Sequence, residues 1–209
     1  MDWILNAFVV LFVVVDPVGN APIFATLTRS LSEAERRRTA LKGVALAAAI
    51  LLAFFIGGNA LLGALGIGLP AFRITGGLLL FLVAIDMVFA RQSGLRGTTA
   101  SERAEARERD DLSIFPLAFP LIAGPGAITT VLLMAGHGDS WGEHLVRLGV
   151  IVSVLLITLI SLLLTGRMVR LLGETGANVI DRLLGLILAT IAVQFVVDGV
   201  RQAFGLGGG

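Results

Sequence analysis

From Gly43 to Phe72 the chain runs 30 residues without a charged side chain. A helix rises about 1.5 Å per residue, so about 20 apolar residues cross a hydrocarbon core of roughly 30 Å. Buried helices of soluble domains usually stop at about 10–14 apolar residues. Two more charge-free runs follow, 27 residues from Leu112 to Gly138 and 19 from Leu148 to Gly166. Three further apolar blocks carry one acid each: Trp3 to Thr28 around Asp16, Ile74 to Ala90 around Asp86, and Leu183 to Val200 around Asp198. These blocks predict an all-α integral membrane protein. Its six transmembrane helices are expected near 3–28, 40–65, 70–90, 113–135, 146–166 and 181–203, as one membrane domain over 1–209.

Composition narrows the chemistry. Charged residues make up 15% of the chain and apolar residues 56%. A soluble domain carries about 25% charge, and a disordered one carries more charge and less apolar surface. The net charge of +1 gives no electrostatic basis for binding nucleic acid. With no Cys and no Tyr, disulfides, thiolate metal sites, thiol nucleophiles and phenolic acids are excluded. Metalloprotease, nucleophile-elbow and phosphate-loop patterns are missing from the sequence, so no enzyme and no cofactor are expected. His137 and His144 share one loop without a carboxylate cluster of metal-site pattern, and are expected to be solvated. The first segment begins with Asp2 rather than a basic cluster and is interrupted by Asp16-Pro17, which suggests a retained helix rather than a cleaved signal.

Loop charge predicts orientation. Thirteen of the sixteen Lys and Arg fall on one set of alternating flanks, while Arg73, Arg147 and Arg201 fall on the other. Basic residues stay on the cytoplasmic side during insertion, so both termini are expected to face outward, with Trp3 and Trp141 at the outer interface. The longest loop, 91–112, mixes arginines with acids. Thr99 and Glu102 have capping-box spacing and Glu105 with Arg109 has i,i+4 spacing, which suggests a short solvated helix.

The two halves match at a fixed offset. At 109 residues Arg38 pairs with Arg147, Gly57 with Gly166, Arg73 with Arg182 and Gly76 with Gly185; at 108, Pro17 pairs with Pro125. Three spans per half force the second copy to enter from the opposite side. The expectation is a 3+3 inverted repeat, with repeat 1 over 1–90, the inner loop over 91–112, repeat 2 over 113–204 and a frayed tail over 205–209.

The first span of each half is broken, at Asp16-Pro17-Val18-Gly19-Asn20-Ala21-Pro22 and at Pro120-Leu121-Ile122-Ala123-Gly124-Pro125-Gly126. Proline removes a backbone donor and glycine loosens a helix. Each break lies about 16–20 Å from the start of its span. Irregular backbone at that depth is tolerated where protein buries it or it lines a cavity, and paired interrupted helices point to a transporter site. The candidate site is therefore Asp16, Pro17, Gly19, Asn20 and Pro22 from the first break, with Gly124, Pro125, Gly126, Thr129 and Thr130 from the second.

Asp16 is the costliest residue of the set, since an acid near the bilayer centre costs about 2.5–3.5 kcal/mol. It suits a substrate ammonium, a coupling H+ or Na+, or the N-cap of the half-helix after Pro17. The start of the second half-helix suits a carboxylate. Asp86 is the second coupling candidate, though its place near Arg91 suggests interfacial pairing. Asp198 with Arg201 suggests a local ion pair, Arg73 and Arg182 suggest snorkelling, and Gly76-Gly77 suggests close helix packing.

Three motifs resemble the MarC family of bacterial and archaeal inner-membrane proteins: D-P-[IV]-G-N-x-P-x-F at Asp16 to Phe24, R-I-x-G-G-x-L-L-F at Arg73 to Phe81, and P-L-x-x-G-P-G-x-I at Pro120 to Ile128. The resemblance covers nearly the whole chain. It implies six spans, kinship with the LysE-type exporter superfamily, and relatives that carry neutral amino acids. The resulting expectation is an ion-coupled carrier, acting as an exporter, of a small zwitterionic substrate such as glycine or alanine, set in the lipid bilayer of the bacterial inner membrane. An ion or metal exporter and a non-transporting membrane scaffold stay open as other classes.

Overall fold

The computed structural model describes residues 2–89, 111–135 and 140–205. Among these residues the chain is helical, without strands: α1 Asp2–Val15, α2 Pro17–Leu27, α3 Glu33–Ala64, α4 Leu69–Val88, α5 Ser113–Ile122, α6 Pro125–Ala135, α7 Trp141–Leu163 and α8 Thr165–Ala203. Five helical stretches are long and apolar enough to cross a membrane: Trp3–Leu27, Glu33–Ala64, Leu69–Val88, Trp141–Leu163 and Val179–Ala203. The bent pair α5 and α6 makes a sixth when counted as one crossing. Most of the expected inner loop, including Thr99, Glu102, Glu105 and Arg109, lies outside the described residues, as do His137 and the end of the tail.

Several boundaries differ from the hydropathy reading because caps, rather than apolarity, start the helices. Ser32 accepts from the backbone N–H of Glu35, and the Glu35 carboxylate returns to Ser32 N at 2.9 Å, so α3 begins at Glu33 rather than near 40. Ser140 accepts from Glu143 N, so α7 begins at Trp141 rather than near 146. α5 departs most. Phe115 (φ −127°, ψ 127°) and Phe119 (φ −134°, ψ 129°) are extended, so the irregular backbone starts ahead of the break at Pro120 to Gly126. Each precedes a proline, and a proline ring crowds the residue before it out of the helical region. α8 is interrupted at Gly173, whose φ of 62° needs a residue without a β-carbon.

The core has two parts. The larger joins α1, α2, α3, α5, α6 and α7 around Leu11, Phe24, Leu51, Leu117 and Ile151. The smaller joins α4 and α8 to Val13 of α1 through Leu80, Ala84, Leu188 and Ala192. Outside, large apolar side chains are exposed on several faces, among them Ile56, Leu78, Leu156 and Leu186. A water-soluble monomer rarely presents so much, and lipid accommodates it.

Small residues bring α4 and α8 into close contact along their length. A β-carbon at Gly77 would stand 2.7 Å from Ala192 O, one at Gly185 2.6 Å from Met87 Cβ, and one at Gly199 2.9 Å from Pro70 O. Gly76 faces the other way, where an added β-carbon would stand 1.9 Å from Thr129 Cγ2 on α6. Close approach through small residues is the usual route to helix association in lipid, where no hydrophobic drive separates one apolar surface from another.

Some polar residues sit differently from expectation. Arg73 is buried rather than snorkelling, whereas Arg182 is exposed. Asp198 accepts from Gln194 Nε2 at 2.8 Å, so the neighbour that holds it is an amide rather than Arg201. His144 is half-buried, edge-on to Phe55 at 6.0 Å between ring centroids. At the start of α5, Asp111 receives hydrogen bonds from Lys42 Nζ of α3 and from the Ser113 hydroxyl, tying α5 to α3.

Two outcomes follow. Gly77→Ala places a β-carbon against backbone that cannot yield, with an expected loss of about 1–3 kcal/mol. Gly57→Ala meets nothing within 4 Å and should leave the melting temperature unchanged or slightly raised. Thermal melts of the detergent-solubilised variants compare them. The Lys42 ammonium, and next the Ser113 hydroxyl, hold the Asp111 carboxyl at about 2 against an ordinary 3.8. The stabilisation is therefore complete above 3.8 and is lost as pH falls through about 2. Solvent screens this half-exposed pair, so the effect should stay at or below about 1 kcal/mol. Asp111→Asn should flatten that part of a melting-temperature profile against pH.

Candidate functional site

The first break is confined to one residue. Pro17 disfavours the right-handed helical conformation at Asp16, and Asp16 takes φ 49°, ψ 69°, a left-handed conformation that Asp tolerates better than most residues. Helical bonding resumes on both sides: Asp16 N donates to Phe12 O at 2.9 Å, and Asn20 N donates to Asp16 O at 3.0 Å. The break also caps itself. Asp16 Oδ1 accepts from Gly19 N at 3.0 Å, and Asn20 Nδ2 donates to Val15 O at 2.7 Å. Both side chains are buried, and α1 with α2 runs on as one 25-residue stretch.

The second break is larger. α5 and α6 meet at Ala123 and Gly124 with a bend of 59°. A β-carbon at Gly124 would stand 2.4 Å from Pro120 O, so only glycine admits this fold of the backbone. Thr129 Oγ1 donates to Pro125 O at 2.8 Å and Thr130 Oγ1 to Gly126 O at 2.9 Å, so both hydroxyls are paired back onto the first turn of α6. That turn carries no acidic residue.

The two breaks share a cavity of about 40 Å³. Val14, Val15 and Asn20 line it from one side and Pro120, Gly124, Pro125 and Gly126 from the other, with Leu80 of α4 between them. A small-molecule site usually measures about 300–1,000 Å³, so this cavity holds water-sized occupants only. Of the sequence candidates, Asn20, Gly124, Pro125 and Gly126 converge there. Asp16 lies beside it but outside its lining, with its carboxylate turned to the start of α2. Pro17, Gly19 and Pro22 continue along α2, and Thr129 packs on Gly76. Asp86 is buried on α4 and lines neither this cavity nor the next.

A second cavity of about 640 Å³ opens where the N-terminal ends of α1 and α7 approach α6 and α8. Its wall includes Trp3, Asn6, Thr130, Glu143, Arg147 and Phe195. Arg147 Nη2 stands 3.4 Å from Glu143 Oε2, and the guanidinium carbon lies 5.2 Å from the centroid of the Trp3 ring. Thr130 is the one sequence candidate here. Hydropathy treated Arg147 as flank, whereas the cap at Ser140 places it well inside α7, about 9 Å along the helix from Trp141. The i,i+4 spacing of Glu143 and Arg147 is the signal that could have found the pair.

A family model described as "MarC family integral membrane protein" matches residues 1–204. The chain belongs to the MarC family. Similar proteins include the UPF0056 membrane protein YvbG of Bacillus subtilis, 37% identical over 97% of this chain and 96% of the relative. A UPF0056 membrane protein of Methanocaldococcus jannaschii is 40% identical over 97% and 98%. The UPF0056 inner membrane protein YhgN of Escherichia coli is 35% identical over 97% and 98%. No solved structure matches this MarC chain. It is an integral, multi-pass membrane protein, and the Escherichia coli relative is named as an inner-membrane one.

The left-handed backbone at Asp16 separates conformation from charge. Asp16→Asn keeps the cap acceptor and tolerates positive φ, so folding should survive. Asp16→Val loses both, with an expected loss of about 2 kcal/mol or more. Asn20→Leu leaves Val15 O without its side-chain donor at about 1–3 kcal/mol. Thermal melts of the three variants in one detergent test the order.

Proposed function

We propose that this MarC protein is an ion-coupled carrier of small neutral amino acids, glycine- or alanine-like, built as a 3+3 inverted repeat. The observation that carries the reading is the shared cavity: two interrupted segments, one from each half, line it within the membrane-spanning core, with the Asn20 side chain and the Gly124-Pro125-Gly126 backbone in an otherwise apolar wall. Interrupted helices that meet near the midplane supply backbone dipoles for a substrate's charged ends. The start of α6 offers positive dipole to a carboxylate, while Asp16 and Asp86 are the acids available to a coupling H+ or Na+.

Packing supports the repeat. With α1–α2 exchanged for α5–α6, α3 for α7 and α4 for α8, the main contacts exchange as well. α3 packs on α5 and α6 as α7 packs on α1 and α2, and α4 packs on α6 as α8 packs on α2. The α3–α7 and α4–α8 contacts map onto themselves. The caps Ser32–Glu35 and Ser140–Glu143 correspond at the same 108-residue offset as Pro17 and Pro125. On this reading α5 with α6 is one bent crossing, both termini face outward, and the thirteen inner Lys and Arg hold that orientation. The central cavity is closed to substrate in this conformation, and transport requires the α1–α2 and α5–α6 segments to part.

Flux of labelled alanine and glycine into proteoliposomes tests the proposal. Wild-type flux should exceed that of empty liposomes under an imposed H+ or Na+ gradient. Asp16→Asn, which preserves the cap, should lose the dependence on that gradient. Wild-type flux equal to empty liposomes under both gradients overturns the reading.

A further inference from the structure

We infer that the Trp3 cavity is a recognition site for a small zwitterion, with Arg147 receiving the carboxylate and Glu143 the ammonium. The inference deepens the transport reading and takes its substrate class from it. Its volume of about 640 Å³ falls within the usual range for small-molecule sites, unlike the cavity between the breaks. Among the described residues, Glu143 and Arg147 bring one acid and one base to its wall, a match in kind for the two charged ends of a zwitterion.

Arg147 Nη2 and Glu143 Oε2 stand 3.4 Å apart at the cavity, so an acid and a base present themselves side by side there. Arg147 is buried, with the Trp3 ring 5.2 Å from its guanidinium carbon, which fixes the plane of a fork suited to a carboxylate. Glu143 is the more exposed partner. At the corresponding position of α3, the Glu35 carboxylate folds back to Ser32 N and completes a capping box. Glu143 occupies the same place after Ser140, yet only the forward half of that cap is made, and its carboxylate turns to Arg147 at the cavity instead. Apolar wall from Val10, Leu133 and Phe195 suits a small uncharged side chain. Thr130 connects this site to the break: its hydroxyl is bonded to Gly126 O, in the first turn of α6, and Gly126 lines the central cavity. A zwitterion held here stands at the far end of the helix that begins at the transport site.

The chain has two tryptophans, and Trp141 is exposed at the start of α7 and outside the cavity lining. In a Trp141→Phe background Trp3 is the sole indole and reports occupancy directly. In phosphatidylcholine vesicles, alanine should shift or quench Trp3 emission saturably. Propionate and ethylamine, which carry one charge each, should bind at least about tenfold more weakly. No saturable response to alanine, or propionate binding as tightly as alanine, overturns the site. So does a saturable response to added phosphatidylglycerol with none to alanine, which assigns the cavity to a lipid headgroup. In flux measurements Arg147→Lys and Glu143→Gln should raise the KM for alanine at least about tenfold while kcat changes less. Wild-type flux with KM unchanged in both variants overturns the site and leaves the carrier standing. A saturable Trp3 response without flux supports the site and overturns the carrier.

Discussion

Every interruption of a helix in a membrane leaves backbone groups that water cannot reach, and at its first break this protein answers that demand from within a few residues. At the first break the Asp16 carboxylate takes the Gly19 N–H and the Asn20 amide feeds the Val15 carbonyl. At the second, Thr129 and Thr130 donate their hydroxyls to Pro125 O and Gly126 O, carbonyls that helical geometry already pairs within α6, so the groups the break leaves over there are first-turn N–H donors. Unsatisfied groups at that depth would cost several kcal/mol each. α1–α2 and α5–α6 pack side by side, and a small cavity remains between them with Asn20 in a mostly apolar wall.

The two breaks are unequal. Asp16 absorbs its defect in a single left-handed residue, and the helix continues beyond it as one stretch. The second is bent by 59° and follows a segment with extended backbone before each of its prolines. α4 and α8, by contrast, pack closely along their length through Gly77, Gly185 and Gly199.

Much of this was legible in the residues. Apolar runs marked the spanning stretches, because the length of an apolar block is set by the thickness of the core it crosses. The motif Asp16-Pro17 marked a break since proline's effect on its neighbour is local, and Gly76-Gly77 marked close packing because little else needs two glycines mid-span. Helix starts were misplaced where a cap outranked hydropathy, at Ser32 and Ser140. The role of Asp16 as a cap was one of two readings, and only the direction of its carboxylate separates them.

The sequence alone determined that this chain lives in lipid and that it is helical, because those properties depend on residues near one another along the chain. Tertiary structure decided what the interruptions enclose and which polar groups meet. Trp3 and Arg147 are far apart in sequence and face one cavity because α1 and α7 pack together. Val15 and Gly126 share another because α1 packs on α6. Contacts of that kind are fixed by packing between helices, and no local pattern encodes them.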